Sequence, residues 1–318
     1  MQAGSVQWLA TLVASLFISC HFIPGHFISR HFNFRRALSG IIAAGLIVTA
    51  PLAAGASDPP ARIVSLNVCI DQILVDLVPR ARIAAVTHLA ADPLSSAHPE
   101  KAAGLPTTRG DAEDVLARDP DLILAGQYTT PATVDLLRRL GRRVELVPLP
   151  DSVDAVRAVI QQIAAAAGVA ERGRVLVHAM DQRLAAARRT NADAPQPTAL
   201  IYQVNNYVAG TFGLVDEALR LAGWRNGAAM ITMTRNGQVS LEALLTAPPD
   251  LLVLASSPQT YPTAVADNLR HPVLARLRAQ RPSVVVPWPL MLCGTHHIAE
   301  AVEALSAARA TFESTRGR

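Results

Sequence analysis

The residues of this chain whose types could do chemistry fall just after short apolar runs. Asn67 and Cys69 follow Arg62-Ile-Val-Ser-Leu66, His88 follows Ile83-Ala-Ala-Val86, and Gln127 and Tyr128 follow Leu122-Ile-Leu-Ala125. Tyr202, Asn205 and Tyr207 close a fourth run, Ser256, Ser257 and Tyr261 follow a fifth, and Trp288, Cys293, His296 and His297 follow a sixth, Ser283-Val-Val-Val286. In parallel α/β sheets ligands bind beyond the carboxyl ends of the strands, so these are the candidate ligand contacts. Aromatic residues make up only 4% of the chain, yet all four tyrosines and Trp288 sit at or just after such an end. That placement suits a cleft that stacks on one large, partly apolar ligand. Arg109, just before a helix start, could meet an anionic group of that ligand.

Cys293-Gly-Thr-His-His297 is the motif that could instead be catalytic or metal-binding. A cysteine beside a histidine can act as a nucleophile pair. Zinc takes about four ligands at closed spacing, and no matching second cluster stands elsewhere in the chain. A Ser nucleophile elbow, a Gly-rich phosphate loop and an HExxH stretch are all missing from the sequence. The reading is therefore a binding protein, not an enzyme, with no cofactor and no metal site of its own. Two other readings stay open: a zinc-type metal binder using His88, His98, His296 or His297, and a cleft enzyme using Cys293 and His296.

Composition narrows the partners. The 318 residues suffice for two cores, half of them are hydrophobic and 17% are charged, as in a globular chain. The net charge of +4 is concentrated at the start, where residues 1–56 hold Arg30, Arg35 and Arg36 and no acidic residue. The remainder holds 26 basic and 25 acidic residues, which gives no electrostatic case for nucleic acid. Residues 30–56 read as an export signal, with a basic start, an apolar stretch and Ala54-Gly-Ala56 as cleavage site. Residues 1–29 form an N-terminal extension of uncertain role. With Cys20 removed, Cys69 and Cys293 remain in an oxidising compartment, which favours a disulfide or a ligand role. A disulfide needs Cα atoms within about 7 Å. Spacing does not supply that approach, so the balance tips slightly toward separate thiols, one of them a soft metal ligand.

Two similar units must position these residues. Residues 111–125 and 240–255 each read as a capped short helix, a Pro-Asp turn and a buried strand. Between them, residues 171–190 carry no helix breaker after Gly173, and Leu176, Met180, Leu184 and Ala187 recur at helical spacing. The expectation is an α/β protein of two lobes, each a mostly parallel sheet flanked by helices, joined by one long helix. The boundaries are an export region at 1–56, a lobe at 57–168, a linking helix at 169–192 and a second lobe at 193–318.

These pieces together resemble the class III substrate-binding proteins of ABC importers, which bind iron–siderophore complexes, haem and vitamin B12. The resemblance rests on Arg62-Ile-Val-Ser-Leu66, Pro120-Asp-Leu-Ile-Leu124, Gly213-Leu-Val-Asp-Glu-Ala-Leu219 with Ala222-Gly-Trp-Arg-Asn226, Ser240-Leu-Glu242 and His271-Pro-Val-Leu274. It implies a periplasmic monomer that captures a metal chelate, iron–siderophore or corrinoid, and delivers it to a permease and its ATPase at the inner membrane. It also implies one acidic docking residue on each lobe. Glu217 matches in the second, and Asp135 is the nearest acid to the matching loop in the first.

Overall fold

Eleven elements build the first half of the chain in a computed structural model that describes residues 58–188, 196–231, 237–255 and 267–316. They are β1 (Ile63–Ser65), α1 (Val68–Leu77), β2 (Ile83–Thr87), α2 (Pro99–Ala102), β3 (Thr107–Thr108), α3 (Ala112–Ala117), β4 (Leu122–Gly126), α4 (Pro131–Arg139), β5 (Val144–Val147), α5 (Val153–Ala166) and α6 (Ala170–Ala187). The second half holds β6 (Thr198–Tyr202), α7 (Gly213–Leu221), β7 (Arg225–Asn226), α8 (Leu241–Thr246), β8 (Leu251–Leu254), α9 (Asp267–Arg270), α10 (Pro272–Gln280), β9 (Ser283–Val285), α11 (Pro289–Leu292) and α12 (Ile298–Arg316). The export region, Ser256, Ser257 and Tyr261 lie outside the described residues.

Each half forms its own parallel sheet, in the orders β3-β2-β1-β4-β5 and β7-β6-β8-β9. Without its edge strand β3, the first sheet has the winding of the second. The repeat read in the sequence is thus a repeat of topology. The α/β fold of two parallel sheets flanked by helices is the one expected.

The strands alternate between two apolar environments because successive side chains leave opposite faces. Ile63, Leu122, Leu124, Ala199, Ile201, Leu251 and Val253 join one large core that also takes in α1, α5, α6, α7 and α12. Their neighbours Val64 and Ile123 pack in a separate cluster, as do Leu200, Leu252 and Leu254 in another. One continuous core therefore runs behind both sheets. The α6 stripe is Val177, Met180, Leu184 and Ala187, with Leu176 only half-buried. The helix start after β5 is capped by Ser152, whose hydroxyl accepts from the Ala155 N–H at 3.2 Å, and not by Asp151. The His271-Pro272 break does separate α9 from α10, with His271 capping the latter. Strands β3 and β7 have two residues each, too few to show a period in sequence.

Candidate functional site

In the first sheet the strand order reverses between β1 and β4, and that switch point is where open α/β sheets hold ligands. Asn67 leaves β1 there and caps α1, its Oδ1 accepting from the N–H groups of Cys69 at 2.9 Å and Ile70 at 3.4 Å. Gly126 leaves β4 beside it. A Cβ at Gly126 would lie 2.8 Å from Asn67 Nδ2, so only glycine lets the two strand ends approach. The result is a small, solvent-open crevice of about 40 Å³. Asn67, Cys69, Gln127, Tyr128, Pro150 and Gly294 are among its lining residues. Gly294 comes from the second half of the chain, and a Cβ there would be 2.1 Å from Pro150 Cγ. The two halves therefore meet at the crevice wall.

Of the thirteen large apolar side chains exposed among the described residues, Leu89, Tyr128, Leu149, Tyr207, Phe212 and Leu292 lie in segments that follow the carboxyl end of a strand or the short helix after one, and seven, Leu136, Val175 and Leu245 among them, lie elsewhere. Tyr128 is 79% exposed and Phe212 82%. Sequence reading missed Phe212 by weighing only tyrosine and tryptophan. The signal was its place at the start of α7, the helix after β6, since such helices begin at the strand's carboxyl end.

The other expected contacts separate. Tyr202 is fully buried, and its hydroxyl is taken up by Asn206 Oδ1 at 2.5 Å and by the Asn268 amide at 3.1 Å. It is a core residue, because it shares the inward face with Leu200. Asn205 is exposed in a left-handed turn at φ 57°, its N–H donating to Asn268 Oδ1. His88 and Arg109 are exposed beyond β2 and β3, outside the crevice. Trp288 is half-buried against the main core. Asp135 stands exposed on α4, and Glu217, half-buried on α7, accepts through Oε2 from the Val153 N–H at the start of α5 at 2.8 Å. That bond ties the second half to the first.

Cys69 and Cys293 are joined in a disulfide across 224 residues, with Cα atoms 5.0 Å apart. Two separate thiols were the expectation. The packing of α1 against the segment before α12 brings the pair together, and sequence spacing carries no trace of it. Neither sulfur is then a free thiol, a metal ligand or a nucleophile.

His296 also lies away from the crevice. It belongs to a seam two turns further along α1, about 10 Å from Cys69. There its Nε2 meets Asp76 Oδ2 at 2.9 Å, and Lys101 Nζ donates to the same oxygen at 2.8 Å. Burial alone would raise the Asp76 pKa, but these two partners outweigh it and hold it down at about 2. His297 Nδ1 lies 3.0 Å from Glu300 Oε1, and His98 Nε2 lies 3.1 Å from the same carboxylate. These hydrogen bonds keep Glu300 at about 2 against the opposing effect of burial. Burial pushes the His297 imidazole down to about 4, despite Glu300, so it is neutral at pH 7. The histidines thus lock the halves of the chain together at a seam and do not line the crevice.

The model of the periplasmic binding protein family matches residues 63–289. A cobalamin-binding protein of Halobacterium salinarum is 27% identical over 202 residues, which cover 62% of this chain and 54% of that protein. The chain thus spans about half the length of the curated relatives it matches. The periplasmic heme-binding protein RhuT from Roseiflexus sp. RS-1, in apo form, superposes with a TM-score of 0.61 at 26% identity, over 78% of this chain and 97% of that one. The periplasmic vitamin B12 binding protein BtuF of Vibrio cholerae shares the fold, with a TM-score of 0.60 at 18% identity over 80% and 98% of the two chains. Two wound parallel sheets, a crevice at their switch point and a family match across both halves lead to one conclusion: the chain belongs to the periplasmic binding protein family.

Proposed function

We propose that this chain is an exported binding protein that captures one metal chelate in the strand-end crevice and hands it to an ABC permease and its ATPase. The chelate is a corrinoid, a haem or an iron–siderophore complex. The observation that carries this reading is the crevice at the strand ends with the exposed Tyr128 on its lining. A large aromatic is left in water where a ligand covers it. The names of the cobalamin-binding and heme-binding relatives support the same ligand class. The disulfide favours binding over catalysis, because it removes the thiol that a Cys/His enzyme would need. Export of residues 57 onward to the periplasm after a signal within 30–56, a monomeric state and docking through Asp135 belong to the proposal. So does the division into lobes at 57–168 and 193–318 with a linking helix at 169–192, which the two separate sheets support.

Trp288 follows the carboxyl end of β9, half-buried against the main core. Its fluorescence is expected to be quenched by a corrinoid, a haem or a ferric siderophore at micromolar concentration. Tyr128→Ala should weaken that binding by about 10–100-fold, the loss of one aromatic anchor at ~1.5–3 kcal/mol. Equal affinity in Tyr128→Ala would place the ligand elsewhere.

A further inference from the structure

We propose that the seam between α1 and the start of α12 is a site for one divalent cation of the zinc class. Asp76, His296 and His297 are its ligands, and it is separate from the strand-end crevice. Asp76 comes from the first half of the chain and the histidines from the second, so the ion bridges the halves beside the disulfide.

The ligand atoms are already gathered. Asp76, His296 and His297 each offer one ligand atom, and these atoms lie within 4.8 Å of one another. The carboxylate oxygen is 2.9 Å from His296 Nε2 and 3.8 Å from His297 Nε2. Donors bound tetrahedrally at about 2.0–2.1 Å stand roughly 3.3 Å apart, between those two separations. Shifts of a few tenths of an ångström would bring both edges to Asp76 to that separation.

The geometry at His297 favours a cation. Its Nδ1 lies 3.0 Å from the Glu300 carboxylate, which accepts, so the ring proton sits on Nδ1. His297 Nε2 then presents a lone pair toward the Asp76 oxygen at 3.8 Å. Two electron-rich atoms face each other, and a cation between them converts repulsion into coordination. The Glu300–His297 bond is also the outer support that ligating histidines usually have.

A second observation is the state of His296. It is only 8% exposed, yet its Nδ1 has no hydrogen-bond partner. Its Nε2 faces the Asp76 carboxylate with a proton, and ligating the ion through Nε2 leaves the ring proton on Nδ1, where no donor stands in its way. Its ring lies against that of His297, with centroids 4.0 Å apart. A small cavity of about 10 Å³, room for one water-sized body, adjoins the seam and is lined by Asp71, His98, Lys101 and His297. Asp71 Oδ1, which is buried there, also lacks a partner.

Lys101 opposes the ion, since its ammonium sits 2.8 Å from Asp76 Oδ2. Its side chain is 36% exposed, so it can withdraw into water when the ion enters. Two imidazoles and one carboxylate suit zinc, cobalt or nickel better than magnesium or calcium.

The test is cobalt(II) titration of the purified full chain after chelator treatment, read by visible absorption and by metal content. One cobalt per chain with tetrahedral bands, displaced by zinc, is expected. His297→Gln should abolish the signal, Glu300→Gln should weaken binding about 10–100-fold, and Lys101→Gln should tighten it. His88→Ala, at an exposed strand-end histidine, should change nothing. Circular dichroism checks that His297→Gln is folded, and Asp76→Asn carries the same expectation if it is not. The proposal is overturned if the wild type takes up no cobalt at micromolar concentration. It is equally overturned if both ligand variants bind as tightly as the wild type, or if His88→Ala alone removes the site. Chelate binding, followed separately by Trp288 fluorescence, is not expected to respond to Lys101→Gln.

Discussion

Replacing Cys69 and Cys293 together by serine is expected to cost the protein about 5 kcal/mol of stability by chain entropy, because the closed loop spans 224 residues. Removal of native disulfides typically costs ~2–5 kcal/mol, so the expected loss lies at the upper end of that range. For a chain of this size that corresponds to a fall in Tm of about 10–20 °C. The bond is tied to the architecture as well as to the unfolded chain. It pins the first turn of α1 to the segment that carries Gly294 and the seam histidines, so its loss should also loosen the crevice wall. Thermal melts of the oxidised wild type, the reduced wild type and C69S/C293S make the comparison. Free-thiol titration of unfolded, unreduced protein should find no thiol from this pair. Two reactive thiols and an unchanged melt on adding reductant would remove the disulfide from the account.

The second large effect concerns Asp71, buried on α1 with Thr87 donating to its Oδ2 through both N–H, at 3.1 Å, and hydroxyl. Burial pushes this carboxyl up to about 7, against the hydrogen bonds from Thr87 that favour the ionised form. In the unfolded chain it ionises near 3.8. At low pH both states hold the proton and Asp71 costs nothing. As pH rises from about 4 to about 7, the unfolded state releases the proton and the folded state keeps it, so stability falls. The full effect is up to roughly 4 kcal/mol. Asp71→Asn cannot ionise, and its amide oxygen can still accept from Thr87. The stability of Asp71→Asn relative to wild type is therefore expected to rise steadily between pH 4 and pH 7, in paired urea titrations at several pH values. A difference that is flat across that range would show that Asp71 is ionised in the folded protein.

Much of the fold was legible because it rests on short-range patterns. The apolar runs at 122–125 and 251–254, the Pro-Asp turns before them and the helical period from Val153 to Ala187 are local signals, and each became the element expected. Strands β3 and β7 were not legible, since two residues cannot show a period and only pairing with a neighbouring strand defines them. Tyr202 was legible and misread. Every residue of β6 is buried, so both faces of the strand are apolar, but the position of Tyr202 at a strand end drew attention to the cleft instead. For the site, the loops were legible and the orientations were not. Asn67 and Tyr128 reach the crevice as expected. His296 is buried and Glu217 half-buried because partners distant in sequence, Asp76 and the α5 amino end, engage them. Only the tertiary packing of α1 and α12 decides which strand-end residues face outward.

The central claim, that the crevice holds one metal chelate, is tested most directly by native mass spectrometry with absorbance. The protein is taken from its own periplasm and, separately, incubated with a corrinoid, a haem and a ferric siderophore at micromolar concentration. The account predicts one chelate per chain, with the ligand's absorbance carried on the folded protein. Folded protein that stays at the mass of the bare chain in every mixture would contradict it.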